Sequence, residues 1–180
     1  MKKDILDLKV VSVEQLNGKY ALMKLQSEFP LPKMLPGQFV EVRVDDSPET
    51  MLRRPISIHF VDTEHDQLWL LVAAVGAGTR HLVAKKSGDV INCVLPLGNG
   101  FTTDVHSGER VLLIGGGVGV APLLYYGKYI LDRGGKPVFL LGARSSSDLL
   151  ELERFAQYGK VHVTTEDGSK KTSKKKKWFL

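Results

Sequence analysis

The chain has one cysteine, Cys93, among 180 residues, which excludes an internal disulfide. No apolar run approaches the ~18 residues a membrane helix needs. Met1-Lys2-Lys3-Asp4-Ile5 opens the chain without the apolar stretch and small-residue cleavage site of a secretory signal. These absences point to a cytoplasmic protein. Acidic residues are missing from Ser169 to Leu180, where six lysines stand; the net charge of +5 less those six leaves −1 for the rest. The body therefore shows no electrostatic case for nucleic acid, and the basic run at 169–180 is expected to be a solvated, disordered tail. A nucleic-acid or membrane patch at Lys174 to Lys177 is the lesser reading. The five histidines, His59, His65, His81, His106 and His162, are scattered without metal-ligand spacing, and no Ser–His–Asp or Cys–His grouping is legible. Trp69 and the Tyr125-Tyr126 pair are expected to be core or surface residues rather than cofactor stackers.

What is present is an ordinary globular composition, 43% hydrophobic and 25% charged, with two periods in succession. The first part reads as six short antiparallel strands: Leu6–Gln15, Lys19–Gln26, Phe39–Val44, Pro55–Val61, Gln67–Ala74 and Asp89–Val94. Their apolar residues roughly alternate, placing one side of each strand in a core. Asn17-Gly18, Leu35-Pro36-Gly37-Gln38 and Ser87-Gly88-Asp89 supply turns, and a helix is expected at Thr79–Lys86. The pattern predicts a small closed barrel or a sandwich.

After Gly108 the period changes. Val111-Leu112-Leu113-Ile114 and Pro137-Val138-Phe139-Leu140-Leu141 are continuous apolar runs, as expected of strands buried on both faces. Helices are expected at Pro122–Arg133 and from Ser147 or Asp148 through Gln157, the latter with Glu151 closing a capping box on Asp148. Lys160–Thr164 is a third strand. This is β-α-β-α-β, the beginning of a parallel sheet, and its third strand is expected to expose backbone and apolar surface at an edge.

Three segments carry chemistry. In Gly115-Gly116-Gly117-Val118-Gly119-Val120-Ala121-Pro122 a strand leads through glycines into a helix start. Unpaired N–H groups and the helix dipole favour phosphate there. The spacing Gly117-x-Gly119-x-x-Pro122 departs from G-x-G-x-x-G, and no clear acidic residue closes the second strand. A plain strand–helix turn without a ligand remains the competing reading. In Arg54-Pro55-Ile56-Ser57, Arg54 could clamp a pyrophosphate, and Pro55 marks a strand start. The Ser57 hydroxyl or backbone N–H could reach a ring nitrogen. An ordinary surface arginine is the alternative. Gly76-Ala77-Gly78-Thr79 precedes the first helix as a second candidate anion site, or as a flexible connection.

In this order the segments resemble the ferredoxin–NADP reductase superfamily, with Ile56 at a position the superfamily fills with an aromatic residue. Leu52 to Ile58, Gly76 to Thr79, Pro96-Leu97-Gly98-Asn99-Gly100-Phe101 and Gly142-Ala143-Arg144 are most similar to the electron-transfer subunit family of dihydroorotate dehydrogenase B. The resemblance covers residues 1 to about 168 and implies residues 1–101 as an FAD-binding β-barrel. It implies 102–168 as part of an NAD-binding α/β domain, and 169–180 as a tail foreign to the family. It implies Arg54, Pro55, Ile56 and Ser57 on the FAD pyrophosphate and ring. Leu71, Val72 and Ala73 would line its adenosine or ribityl side by backbone, and Gly78 and Thr79 would hold phosphate. Gly117, Gly119 and Pro122 would face the nicotinamide nucleotide, NAD or NADP. It also implies a dihydroorotate dehydrogenase catalytic subunit as partner and a [2Fe–2S] cluster. Such a cluster needs four thiolates, and only Cys93 is present. A C-terminally shortened family member, a free-standing NAD(P)H reductase of the same fold, and a remnant that only binds FAD or a partner are the three expectations this leaves.

Overall fold

The computed structural model describes residues 3–45 and 50–172. Nine strands and three helices follow one another. They are β1 Asp4–Gln15, β2 Tyr20–Gln26, β3 Phe39–Val42, β4 Arg54–Asp62, β5 Gln67–Ala73, α1 Ala77–Val83, β6 Val90–Leu97, β7 Arg110–Gly116, α2 Leu123–Asp132, β8 Lys136–Ala143, α3 Leu152–Tyr158 and β9 Lys160–Thr165. None of the described helices is long and apolar enough to cross a membrane.

The first six strands close into an antiparallel barrel in the order β1-β2-β5-β4-β3-β6, the closed alternative of the two architectures. Closure depends on β1, whose first half pairs with β6 and second half with β2, with a register shift between Val10 and Ser12. Such an irregularity bends a strand, letting one segment serve two neighbours. The hairpin to β2 is set by Asn17, whose Oδ1 accepts hydrogen bonds from the Lys19 and Tyr20 amides at 2.9 and 3.0 Å. Inside lie Leu8, Met23, Leu25, Val40, Ile58, Leu70, Val72 and Ile91 among others.

The remaining strands form a parallel sheet in the order β7-β8-β9. Helix α2 buries Leu123, Leu124, Tyr126, Gly127 and Ile130, a stripe at helical spacing, against Leu113, Phe139 and Leu141. Three expectations are corrected here. First, β7 is not buried on both faces: Leu112 and Ile114 are 58% and 64% exposed. They pair with Val138 and Leu140 of β8 in an apolar row on the face opposite the helices. A continuous apolar run reports what could be covered on both sides, not what is. The large apolar exposure therefore lies on β7, not on the third strand. Second, no single helix runs from Ser147 or Asp148: a 3₁₀ turn at Ser146–Asp148 is separated from α3 by Leu149 to Glu151. Glu151 cannot close a capping box on Asp148, because its backbone is left-handed (φ 50°) and its side chain turns into the interior. Third, part of the basic tail is ordered. Residues 169–172 fold back along β9, with the Thr172 amide bonded to Val163 O at 3.1 Å and the Val163 amide to Thr172 Oγ1 at 2.7 Å. These bonds partly pair the outer edge of β9. The rest of that tail, with Lys174 to Lys177, lies outside the described residues.

The two halves share a core. Tyr20, Phe60 and Leu71 of the barrel belong to the same apolar cluster as Leu113, Leu124, Phe139 and Phe155. Phe60 packs its ring against Trp69, Tyr125 and Tyr158 at 5.0, 5.9 and 6.0 Å between centroids. The Tyr125 hydroxyl donates to Met34 O and that of Tyr126 to Thr102 O. Burial raises both phenol pKa values.

Candidate functional site

Of the concavities between the halves, two hold residues of the segments singled out in the sequence. The first, of about 330 Å³, is walled on the barrel side by Pro55, Ile56 and Ser57 of β4, Leu71 and Ala73 of β5, and Thr79 of α1. Opposite stand Val118, Gly119, Ala121 and Pro122. Strand alternation explains the barrel wall. Leu71 and Ala73 stand two residues apart on one side of β5, whereas Val72 between them is fully buried in the barrel core. Only the backbone of Val72 could serve a ligand.

The opposite wall is a 3₁₀ turn, Gly117–Val120, between β7 and α2, with Pro122 at the helix N-cap. Gly115 lets this turn sit on its strand, since a Cβ there would meet Leu123 Cδ1 at 2.8 Å and Gly119 O at 3.1 Å. Gly117 has φ +53°, a left-handed conformation that side chains disfavour. At Gly119 a Cβ would meet nothing within 4 Å, so the backbone there opens onto free space.

Arg54 and Gly78 do not line this cavity but meet beside it. The guanidinium lies so close to Gly78 that a Cβ would come within 2.6 Å of Arg54 Nε. Arg54 Nη1 donates to Leu52 O at 2.6 Å and, weakly, to Arg53 O. Among the described residues no carboxylate pairs with Arg54. The Thr79 hydroxyl is engaged locally, accepting from the Gly76 amide at 3.1 Å, so its backbone is what remains for an outside group. The residues thus fit an anionic, planar-ended dinucleotide. A donor-rich cation, packed on a glycine, flanks a cavity bounded by Pro, Ile, Leu and Ala with a glycine turn across from them.

The second concavity, about 530 Å³, lies at the carboxyl ends of the parallel strands, where open α/β sheets bind nucleotides. It takes Gly116 and Gly117 from the turn, Gly142 to Arg144 from β8, and Thr164 to Glu166 around the end of β9. Lys19 and Tyr20 join it from the barrel. The sequence did not place Lys19 or Tyr20 here, because a hairpin on the other half gives no local signal of what it will face; nor did it place Glu166, just past the end of β9. The tips of all three parallel strands could have been read as one rim from the β-α-β-α-β order alone.

A [2Fe–2S] cluster does not fit the residues present. Cys93 is a lone thiol sealed inside β6, and burial pushes its pKa from the ordinary 9.0 to about 12. A buried neutral thiol with no companion cannot supply a four-thiolate ligand set.

No protein-family model matches the chain. Curated proteins do. The chain is 41% identical over 161 residues to the dihydroorotate dehydrogenase B (NAD(+)), electron transfer subunit, of Shouchella clausii, covering 89% of this chain and 62% of that protein. The subunit of the same name from Lysinibacillus sphaericus is 39% identical over 166 residues, 92% of this chain and 64% of its own length. The chain thus spans less than two thirds of these relatives. Among solved structures, an NADH-dependent reduced ferredoxin–NADP oxidoreductase is 29% identical with a TM-score of 0.77, matched over 88% of this chain and 56% of its own. An Amycolatopsis cytochrome P450 reductase is 26% identical with a TM-score of 0.79, matched over 91% of this chain and 52% of its own.

Proposed function

Since the chain belongs to the ferredoxin–NADP reductase superfamily, within its dihydroorotate dehydrogenase B electron-transfer subunit family, we propose that it holds FAD against a nicotinamide nucleotide. In this role it passes electrons between NAD and a dihydroorotate dehydrogenase catalytic subunit. One observation supports this reading above the others: Pro55 to Ser57, Leu71, Ala73 and Thr79 from the barrel face Gly119 and Pro122 across one cavity. Residues distant in sequence but assigned to two cofactors thereby share a single wall-to-wall space. In this reading residues 1–101 are the flavin unit and 102–168 the nicotinamide unit.

Bound FAD would supply the redox chemistry, accepting hydride and releasing single electrons. The protein binds and orients. Arg54 would give charge-assisted hydrogen bonds to pyrophosphate, with Gly78 allowing the close approach. Pro55, Ile56 and Ser57 would hold the ring in place, and Leu71 and Ala73 would keep water from one side. Gly119, lacking a side chain, would leave room for a nicotinamide to approach the ring. In the second concavity Lys19 and Arg144 would meet nucleotide phosphates, and the Glu166 carboxylate would accept from ribose hydroxyls.

The test is reconstitution of the purified chain with FAD, followed by anaerobic mixing with NADH. One FAD per chain, reduced by NADH, supports the reading. A folded chain that retains no FAD overturns it. Co-purification with a larger flavoprotein tests the partner.

A further inference from the structure

The two halves also meet at a polar pair that has no part in the cavity walls. The side chain of His59, on β4, is fully buried, and that of Glu151, just before α3, is 2% exposed. His59 Nδ1 lies 2.7 Å from Ala121 O, and His59 Nε2 lies 2.5 Å from Glu151 Oε2. A carbonyl oxygen only accepts, so Nδ1 carries its hydrogen. Nε2 then faces a carboxylate oxygen, and two lone pairs do not face each other at hydrogen-bond distance. One proton must therefore lie between them, as imidazolium with carboxylate or imidazole with carboxylic acid. In either form the pair is neutral overall, which suits its burial.

Its surroundings tie it to both halves. Arg154 Nε stands 2.7 Å from Glu151 Oε1, and Arg154 Nη2 stands 3.5 Å from Glu14 of β1. The Arg154 guanidinium also covers the Trp69 ring of β5. Glu151 adopts φ 50°, unfavourable for a residue with a Cβ, and this conformation lets its carboxylate enter the interface. On the other side, Ala121 closes the Gly117–Val120 turn, its amide bonding to Val118 O at 2.9 Å, and Ala121 itself lines the cavity. The imidazole thus links β4, which carries Pro55 to Ser57, to the turn facing them.

We propose that His59 and Glu151, sharing one buried proton, form a positioning latch that fixes the Gly117–Pro122 turn against the barrel wall of the cavity. Neither residue touches a cofactor. The proposal rests on the reading of that cavity as the meeting place of flavin and nicotinamide. A misplacement of the turn alters the approach of the nicotinamide, not the grip of Arg54 on FAD. Glu151→Gln keeps the link, because its amide donates to His59 Nε2; Glu151→Ala and His59→Leu cut it.

Spectroscopy, kinetics and amide exchange on the full chain test this. Histidine ¹⁵N spectra of the wild type should show His59 Nδ1 bearing hydrogen and a slowly exchanging proton shared between Nε2 and Glu151 Oε2. An unprotonated Nδ1 overturns the latch. In single-turnover reduction of bound FAD by NADH, Glu151→Ala and His59→Leu should fall by about tenfold or more, since small misplacements have effects of that order. Glu151→Gln should stay near wild type, FAD dissociation constants should change by less than about threefold, and dithionite should reduce all forms alike. Wild-type rates in both cut variants overturn the proposal, as does equal loss in Glu151→Gln. If the wild type binds no FAD, the flavin reading fails, and the latch is judged separately by amide exchange at Ala121. That exchange should speed up in Glu151→Ala and not in Glu151→Gln; equal exchange in both overturns it. Should both cut variants fail to fold, the wild-type ¹⁵N spectra and the Glu151→Gln rate decide.

Discussion

At the scale of the residue, chemistry follows from what each side chain is packed against. Arg54 is held by one strong backbone hydrogen bond and a glycine, leaving most of its donors for a ligand. Arg54→Ala should therefore weaken FAD binding by roughly 1.5–3 kcal/mol, the worth of a hydrogen bond to a charged group, or about tenfold or more in dissociation constant. Gly78→Ala should act in the same direction by pushing the guanidinium aside. Flavin titration checks both, with thermal melts showing that the barrel survives. Cys93 lends itself to an equally local test. Its thiol is raised to about 12 by burial, and only thiolate reacts. A thiol reagent at about pH 8 should leave the native chain unmodified and label it once unfolded. Because the folded pKa lies above the unfolded one, the stability tied to a neutral Cys93 is fully present below pH 9.0. It is lost as pH rises toward about 12. The Arg54-to-Ser57 segment, the glycine turn and the solitary cysteine could be read from sequence, because each is a local pattern. His59 could not: a scattered histidine gains its role from Ala121 and Glu151, which lie 62 and 92 residues away.

At the scale of the element, packing overrides propensity. Gly127 sits inside α2, where alanine would ordinarily favour the helix by about 1 kcal/mol. A Cβ there, however, would run into the Phe139 ring. That ring is fully buried and set edge-on against Phe155 at 5.0 Å, so it cannot swing away. Overpacking of this kind costs about 1–3 kcal/mol, and Gly127→Ala should lower the melting temperature by roughly 2–4 °C per kcal/mol of net loss. The opposite face of the same sheet predicts the reverse. Leu112 and Ile114 stand exposed on β7, a strand with a neighbour on one side only among the described residues. Leu112→Lys with Ile114→Glu should raise the concentration at which the chain self-associates, read by light scattering, while leaving the melting temperature within about 1 °C, as surface changes do. The strands were legible from alternation and apolar runs, with ends shifted by a few residues. The helix foreseen from Asp148 was not, because the pull of Glu151 into the interface outweighs its value as a cap.

At the scale of the whole molecule, the α/β half depends on the barrel. Its three-stranded sheet and helices number roughly 60 residues, a size at which a core is marginal. Phe60, Tyr20 and Leu71 extend that core from across the boundary. Phe60→Ala should cost roughly 3–5 kcal/mol, felt first in the α/β half. Hydrogen exchange should show β8 and α2 losing protection while Val40, Ile91 and their barrel neighbours keep theirs. Equal loss in both halves would mean that they unfold as one unit. In the unmodified chain the central strand β8 should be the slowest-exchanging part of its sheet and β7 the fastest, since β8 is paired on both sides.

By itself the sequence determined the succession of a β-barrel and a parallel α/β unit, the positions of the glycine turns, and the resemblance to a family. All of these rest on short-range periodicity and contiguous motifs, which the chain carries locally. Tertiary structure alone decided which of those residues meet. It set Ser57 across from Gly119, packed Arg54 onto Gly78 and turned Val72 away into the barrel core. It brought Lys19 to the tips of the parallel strands and enclosed one proton between His59 and Glu151. The physical reason is that barrel closure, the shared apolar cluster and the burial of a neutral pair are collective. Each becomes favourable only when segments far apart in sequence are brought together at once.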